Sequence, residues 1–170
     1  MSTMEAAATI VGVAAIVFDL RRRRIPNALT FGAALAALVF AAVVGGTSGL
    51  ARAAGGWLVG FALFFPFFAL GGLGAGDVKL VAALGAWIGP VLTLWAALYA
   101  SIAGGVIALI VALRHRYLSE ALSNVRLLFM HWRVSGLKPL DPVSLKGSGG
   151  PRLAYSVPIV AGMVLALWFR

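Results

Sequence analysis

Gly74-Ala75-Gly76-Asp77-Val78-Lys79-Leu80 sets a carboxylate between two strongly apolar segments. Acids inside or beside lipid-facing sequence are costly and rare, and by default they point to function. The glycines ahead of Asp77 carry no side chain, so a helix start or a second backbone can come close to the carboxylate. Working outward, one other acid stands at a comparable edge. Asp19 follows the apolar run 6–18 and precedes Arg21-Arg22-Arg23-Arg24. The remaining acids, Glu5, Glu120 and Asp141, fall in terminal or loop sequence.

The composition around these aspartates excludes an ordinary soluble globule. Hydrophobic residues make up 62% of the 170 and charged residues 11%, where a soluble domain carries roughly a quarter charged. The mean hydropathy is +1.01. A membrane barrel would need alternating apolar and polar positions, and Phe61-Ala62-Leu63-Phe64-Phe65-Pro66-Phe67-Phe68 does not alternate. The expectation is an all-α polytopic membrane protein, a bundle of about six transmembrane helices forming one domain over 1–170.

A span needs roughly 17–25 residues. The apolar runs place spans at about 3–20, 28–44, 55–70, 76–88, 91–113 and 153–169, with a cytoplasmic loop at 114–152. The first run is no secretory signal, because its basic cluster follows it and Glu5 precedes it. Ile25-Pro26-Asn27 reads as a turn, with Asn27 available to cap the next helix. Gly45-Gly46-Thr47-Ser48-Gly49 reads as a short outer loop, Pro66 as a kink, and Pro158 as an interruption of the last span. Within the loop, Leu118, Leu122, Val125, Phe129 and Trp132 recur at helical spacing. They predict an amphipathic helix that lies on the inner surface, covers the site or packs on the bundle.

Charge sets the orientation. Arg21 to Arg24, Lys79, Arg114, Arg116, Arg126, Arg133, Lys138, Lys146 and Arg152 fall on one face, leaving only Arg52 and Arg170 of the 14 basic residues on the other. Cytoplasmic loops carry the excess of Lys and Arg, so Asp19 and Asp77 share the cytoplasmic face of an inner membrane. The net charge of +9 then reflects topology, and no nucleic-acid partner is expected. With no Cys, and His115 and His131 far apart, no disulfide, thiol nucleophile, metal site or cofactor is expected.

Two carboxyl groups sharing a site cannot both ionise cheaply and hold one proton between them. The ionised member can take a proton from a water attacking a peptide carbonyl, and the protonated member can donate to the carbonyl oxygen. Which aspartate plays which part is open. The plainer alternatives are that Asp19 pairs with the arginines, and that Asp77 caps a helix while Lys79 snorkels to the surface.

Gly74-Ala75-Gly76-Asp77-Val78-Lys79-Leu80 followed by Ala82-Ala83-Leu84-Gly85-Ala86 resembles the GxGD-x-K region of the type IV prepilin peptidases. Asp19 with Arg24-Ile25-Pro26-Asn27-Ala28-Leu29-Thr30 resembles the stretch around that family's other aspartate, and Ala154-Tyr155-Ser156-Val157-Pro158-Ile159 is similar to a less specific late motif. The resemblance implies an intramembrane aspartyl endopeptidase that removes a short basic leader from prepilins at the cytoplasmic face. It implies Asp19 and Asp77 as the catalytic pair. Gly74, Gly76, Lys79, Pro26 and Asn27 would be supporting motif residues, and prepilin and membrane lipid the partners. Long members of that family carry a cysteine-containing cytoplasmic domain and also N-methylate the product. This chain has no Cys, so methyltransferase activity is not expected. The compact form resembles the peptidases of Flp/Tad-type pilus systems and also the archaeal preflagellin peptidases, with the bacterial reading preferred.

Two other classes compete. A small transporter or proton-coupled channel would use the aspartates to bind or relay a cation. A non-enzymatic assembly subunit would use them only to pair with arginines.

Overall fold

The computed structural model describes residues 2–114, 118–136 and 154–169. The described residues are helical apart from short connections, in the order α1 (Thr3–Arg22), α2 (Asn27–Ala69), α3 (Ala75–Ile88), α4 (Pro90–Arg114), α5 (Leu118–Ser135) and α6 (Ser156–Trp168). The fold is all-α, as the composition predicts. Three of these helices, α1, α2 and α4, are long and apolar enough to cross a membrane.

The sequence fixes α1 at both ends. Ser2 accepts the Glu5 N–H at 3.3 Å and Glu5 accepts the Ser2 N–H at 2.9 Å, a reciprocal cap that satisfies two donors at the helix start. At the other end Arg23 turns left-handed, at φ 51°, and its N–H reaches the Asp19 carbonyl at 2.8 Å.

The expected loop at residues 45–49 is replaced by a sharper feature. Helical pairing continues across α2, broken only at Gly46 with φ 59° and ψ −145°. A side chain on Gly49 would collide with the carbonyl of Ala41. Residues eight apart in a straight helix lie about 12 Å apart along its axis, so this contact means that α2 doubles back. It is a helical hairpin whose limbs, 27–45 and 47–69, take the place of the expected second and third spans. Glycine is the residue for which this backbone conformation carries no Cβ clash. Pro66 lies inside the second limb, where the backbone angles stay helical, Gly46 being the one residue of α2 with non-helical angles.

Helix α3 is the centre of the bundle. Every residue from Val78 to Ile88 other than the partly buried Lys79 is buried. The hairpin, α1, α4 and α6 all pack on it. The second limb approaches at backbone contact through Gly56 and Gly60, spaced as a small-xxx-small pair. A Cβ on Gly60 would stand 2.7 Å from the Val81 carbonyl, and one on Gly56 would clash with that of Gly85. Lying inside the bundle explains why a 14-residue helix suffices here. Large apolar side chains such as Ile10, Val43 and Leu58 face outward from α1 and both limbs, the arrangement of a protein whose solvent is hydrocarbon.

Helix α5 touches only α4 among the described elements. Leu122 and Val125 are 61% and 62% exposed, so these members of the predicted stripe are not packed on the bundle. The side chains of Glu120, Phe129, His131 and Trp132 lie outside the described residues. So do His115, Arg116, Lys138, Asp141, Lys146, the break 147–151, Arg152 and the expected first residue of the last span, Leu153. Helix α6 begins at Ser156, which puts Pro158 in its first turn. A proline there removes an N–H that has no helical partner anyway, so it does not interrupt the helix.

Candidate active site

The end of α1 and the starts of α2, α3 and α6 converge at one end of the bundle. Asp19 arrives one turn before the end of α1 and is buried, 8% exposed. Asp77 arrives in the first turn of α3. The two come close enough for the charge of Asp19 to act on Asp77, and Asp77 in turn acts on Tyr155 at the head of α6.

Gly74 is the N-cap of α3, with an extended backbone at φ −79° and ψ 149°. Its N–H donates to Oδ2 of Asp77 at 3.1 Å. A Cβ on Gly74 would stand 3.1 Å from that same oxygen, which is why a residue without a side chain lets the carboxylate fold back. Asp77 therefore does serve the helix start, from the third position rather than as the cap itself. Gly76 is a different case. A Cβ there would meet Ile25 at 3.5 Å, an ordinary contact.

Asp19 is held from across the bundle. The Ser156 hydroxyl donates to its Oδ2 at 2.7 Å and the Ser156 N–H reaches the same oxygen at 3.4 Å. Among the described residues no Lys or Arg pairs with Asp19. Its partner within the described residues is Ser156. Each aspartate spends Oδ2 on an anchor. The one fully buried side-chain nitrogen or oxygen without a partner among the described residues is Trp87 Nε1. The bonds from Gly74 and Ser156 leave Oδ1 of each aspartate unused.

The other motif residues brace this end. Lys79 donates to Oδ1 of Asn27 at 3.0 Å and stands 5.2 Å from the centre of the Phe31 ring, joining α3 to the start of α2. Its partner is Asn27, not an aspartate. Asn27 does not cap α2: Pro26 is the N-cap and no side chain caps that helix. Pro26 supplies its carbonyl to the N–H groups of Leu29 and Thr30 at 3.1 and 3.3 Å. Ser156 enters the sequence reading only as part of a late motif and is given no role there. A serine before an apolar run reads as an ordinary helix cap, and nothing local signals that its hydroxyl turns to α1. Among the described residues no three His, Cys, Asp or Glu side chains gather as metal ligands would.

Residues 6–109 match the profile of the Type IV leader peptidase family. The chain belongs to that family. The matched segment of this leader peptidase family member contains both Asp19 and Asp77, while Ser156 lies beyond it. The chain is 37% identical over 105 residues to a type 4 prepilin-like proteins leader peptide-processing enzyme of Escherichia coli O78:H11 (strain H10407 / ETEC). That match covers 58% of this chain and 39% of the relative, so the chain corresponds to less than half of the longer protein. No solved structure matches the chain.

Proposed function

We propose that this chain is an intramembrane aspartic endopeptidase that removes the basic leader from type IV prepilins of the Flp kind, at the cytoplasmic face of the inner membrane. Asp19 and Asp77 are the catalytic pair. The observation that supports the reading is that these two carboxylates, each anchored through Oδ2, stand at the same end of the bundle, near enough for the charge of one to act on the other, within the segment that matches the family.

With one proton shared between them, the ionised carboxylate removes a proton from water as its oxygen bonds to the peptide carbonyl carbon. The other carboxylic acid protonates the carbonyl oxygen. Collapse of the tetrahedral intermediate breaks the C–N bond, a proton passes to the departing nitrogen, and the products are a leader carboxylate and a new amino terminus. The reaction as drawn needs no metal, so EDTA is expected to leave cleavage unchanged.

The substrate follows from position. A peptide bond deep within a substrate helix is already hydrogen-bonded and hard to reach. A glycine just before the apolar segment loosens the backbone there, while a basic leader stays in the cytoplasm and fixes the depth. The enzyme's own inner face is basic, so charge attraction cannot provide recognition and the apolar helix contributes more. The test is a prepilin-like peptide with a short Lys/Arg leader, a glycine and an apolar helix of about 20 residues. Replacing the glycine by Leu, or moving it two turns inward, should abolish cutting, and loss of one leader charge should be tolerated. Unchanged cutting of both glycine variants would overturn this account of the substrate. Orientation is tested separately. A cysteine introduced at Ser48 should react with an impermeant reagent outside intact cells, and one at Arg24 should not.

A further inference from the structure

Ser156 opens α6 with its side chain committed elsewhere. Ser156 is the first helical residue, after the N-cap Tyr155, and no side chain caps α6. The hydroxyl is instead fully buried, and it reaches Asp19 across 137 positions of sequence. The family match ends at residue 109, so this contact comes from a part of the chain outside it.

The contact is also keyed in place. Gly162 lies on α4 so closely that a Cβ there would stand 2.5 Å from both the Ala100 nitrogen and the Ala96 carbonyl oxygen. Gly12 of α1 receives Val160, at 3.0 Å from where its Cβ would be. The Tyr155 hydroxyl rests on Gly104, 2.6 Å from the corresponding point. Three contacts along α6 thus fix the height at which Ser156 meets Asp19.

We propose that Ser156 is a positioning residue for the aspartate pair. It pins Asp19 through Oδ2, as the Gly74 N–H pins Asp77, and leaves Oδ1 for the attacking water and the peptide. The inference rests on the dyad reading above. A hydrogen bond to a carboxylate is stronger than one between neutral groups, and a displacement of about 1 Å in a reacting group can cost roughly a hundredfold in rate. Without the hydroxyl, Asp19 keeps only the longer bond from the N–H and gains rotational freedom.

The experiment measures kcat and KM on the synthetic leader–glycine–apolar-helix peptide in detergent, with Tm, for wild type, Ser156→Ala, Ser156→Thr and Asp19→Asn. Ser156→Ala should lower kcat by roughly tenfold, with KM within about twofold and Tm nearly unchanged. Ser156→Thr, which keeps the hydroxyl, should recover kcat to within about threefold of wild type. Asp19→Asn should be inactive. A wild-type kcat in Ser156→Ala beside an inactive Asp19→Asn would overturn the positioning role and leave the dyad standing. An active Asp19→Asn would overturn the dyad itself. A loss in Ser156→Ala that sits in KM, or an equal kcat loss in a folded Ser156→Thr, would make Ser156 a packing residue only. If the threonine does not fold, the division between kcat and KM in the alanine variant decides alone.

Discussion

The two aspartates reach the same end of the bundle by opposite routes. Asp77 is anchored three residues away, by the backbone of its own helix start, whereas Asp19 is anchored from 137 residues away by α6. The first arrangement forms as soon as α3 forms. The second exists only after α1, α4 and α6 have docked. One half of the site is therefore a local motif and the other a product of tertiary packing, and they should fail under different substitutions.

Detaching α6 should have the largest effect. Gly162→Leu places a bulky side chain where even a Cβ would stand 2.5 Å from the α4 backbone. Cleavage of the synthetic peptide should fall by about a hundredfold as Ser156 leaves Asp19, and Tm should drop. Near-normal cleavage would mean that α6 does not hold Asp19. Gly74→Ala attacks the local anchor alone. Its new methyl, 3.1 Å from Asp77 Oδ2, needs a shift of a few tenths of an ångström, so a three- to tenfold loss of kcat with little change in Tm is the expected order of magnitude. Gly76→Ala adds an ordinary contact with Ile25 at 3.5 Å and should stay within about twofold. A larger loss there would show that the second motif glycine faces substrate rather than the bundle. Smallest of all is Lys79→Met. It removes both the bond to Asn27 and the ammonium's contact with the Phe31 ring, exposed interactions that together contribute about 1 kcal/mol or less. Cleavage should change little. Equal losses in Gly162→Leu and Lys79→Met would erase the distinction between packing and local anchoring.

How much of this was legible follows the same division. The all-α class, the apolar helices and the approximate start of α3 were open to reading because each depends on a few consecutive residues: long apolar runs, and the glycines ahead of Asp77. Gly46 was harder. Gly45-Gly46-Thr47-Ser48-Gly49 has loop composition, and that one residue suffices for the turn depends on the limbs packing at Ala41 and Gly49. Pro158 looked like an interruption because the helix start was placed three residues early. Asn27 looked like a cap, and only the position of Lys79 on another helix gives its amide a different task. Ser156 was the least legible, since its role is set by where α1 stands.

The central claim is that Asp19 and Asp77 act as one acid–base pair, and a cleavage assay with Asp19→Asn and Asp77→Asn tests it most directly. Asparagine keeps the shape of each side chain but can neither take a proton from water nor give one in the way a carboxylic acid can. Each single variant should lose at least about a thousandfold in kcat, the double variant should be no worse than either single one, and all three should keep the wild-type Tm within a few degrees. A folded single variant that cleaves the peptide at the wild-type rate would contradict the account.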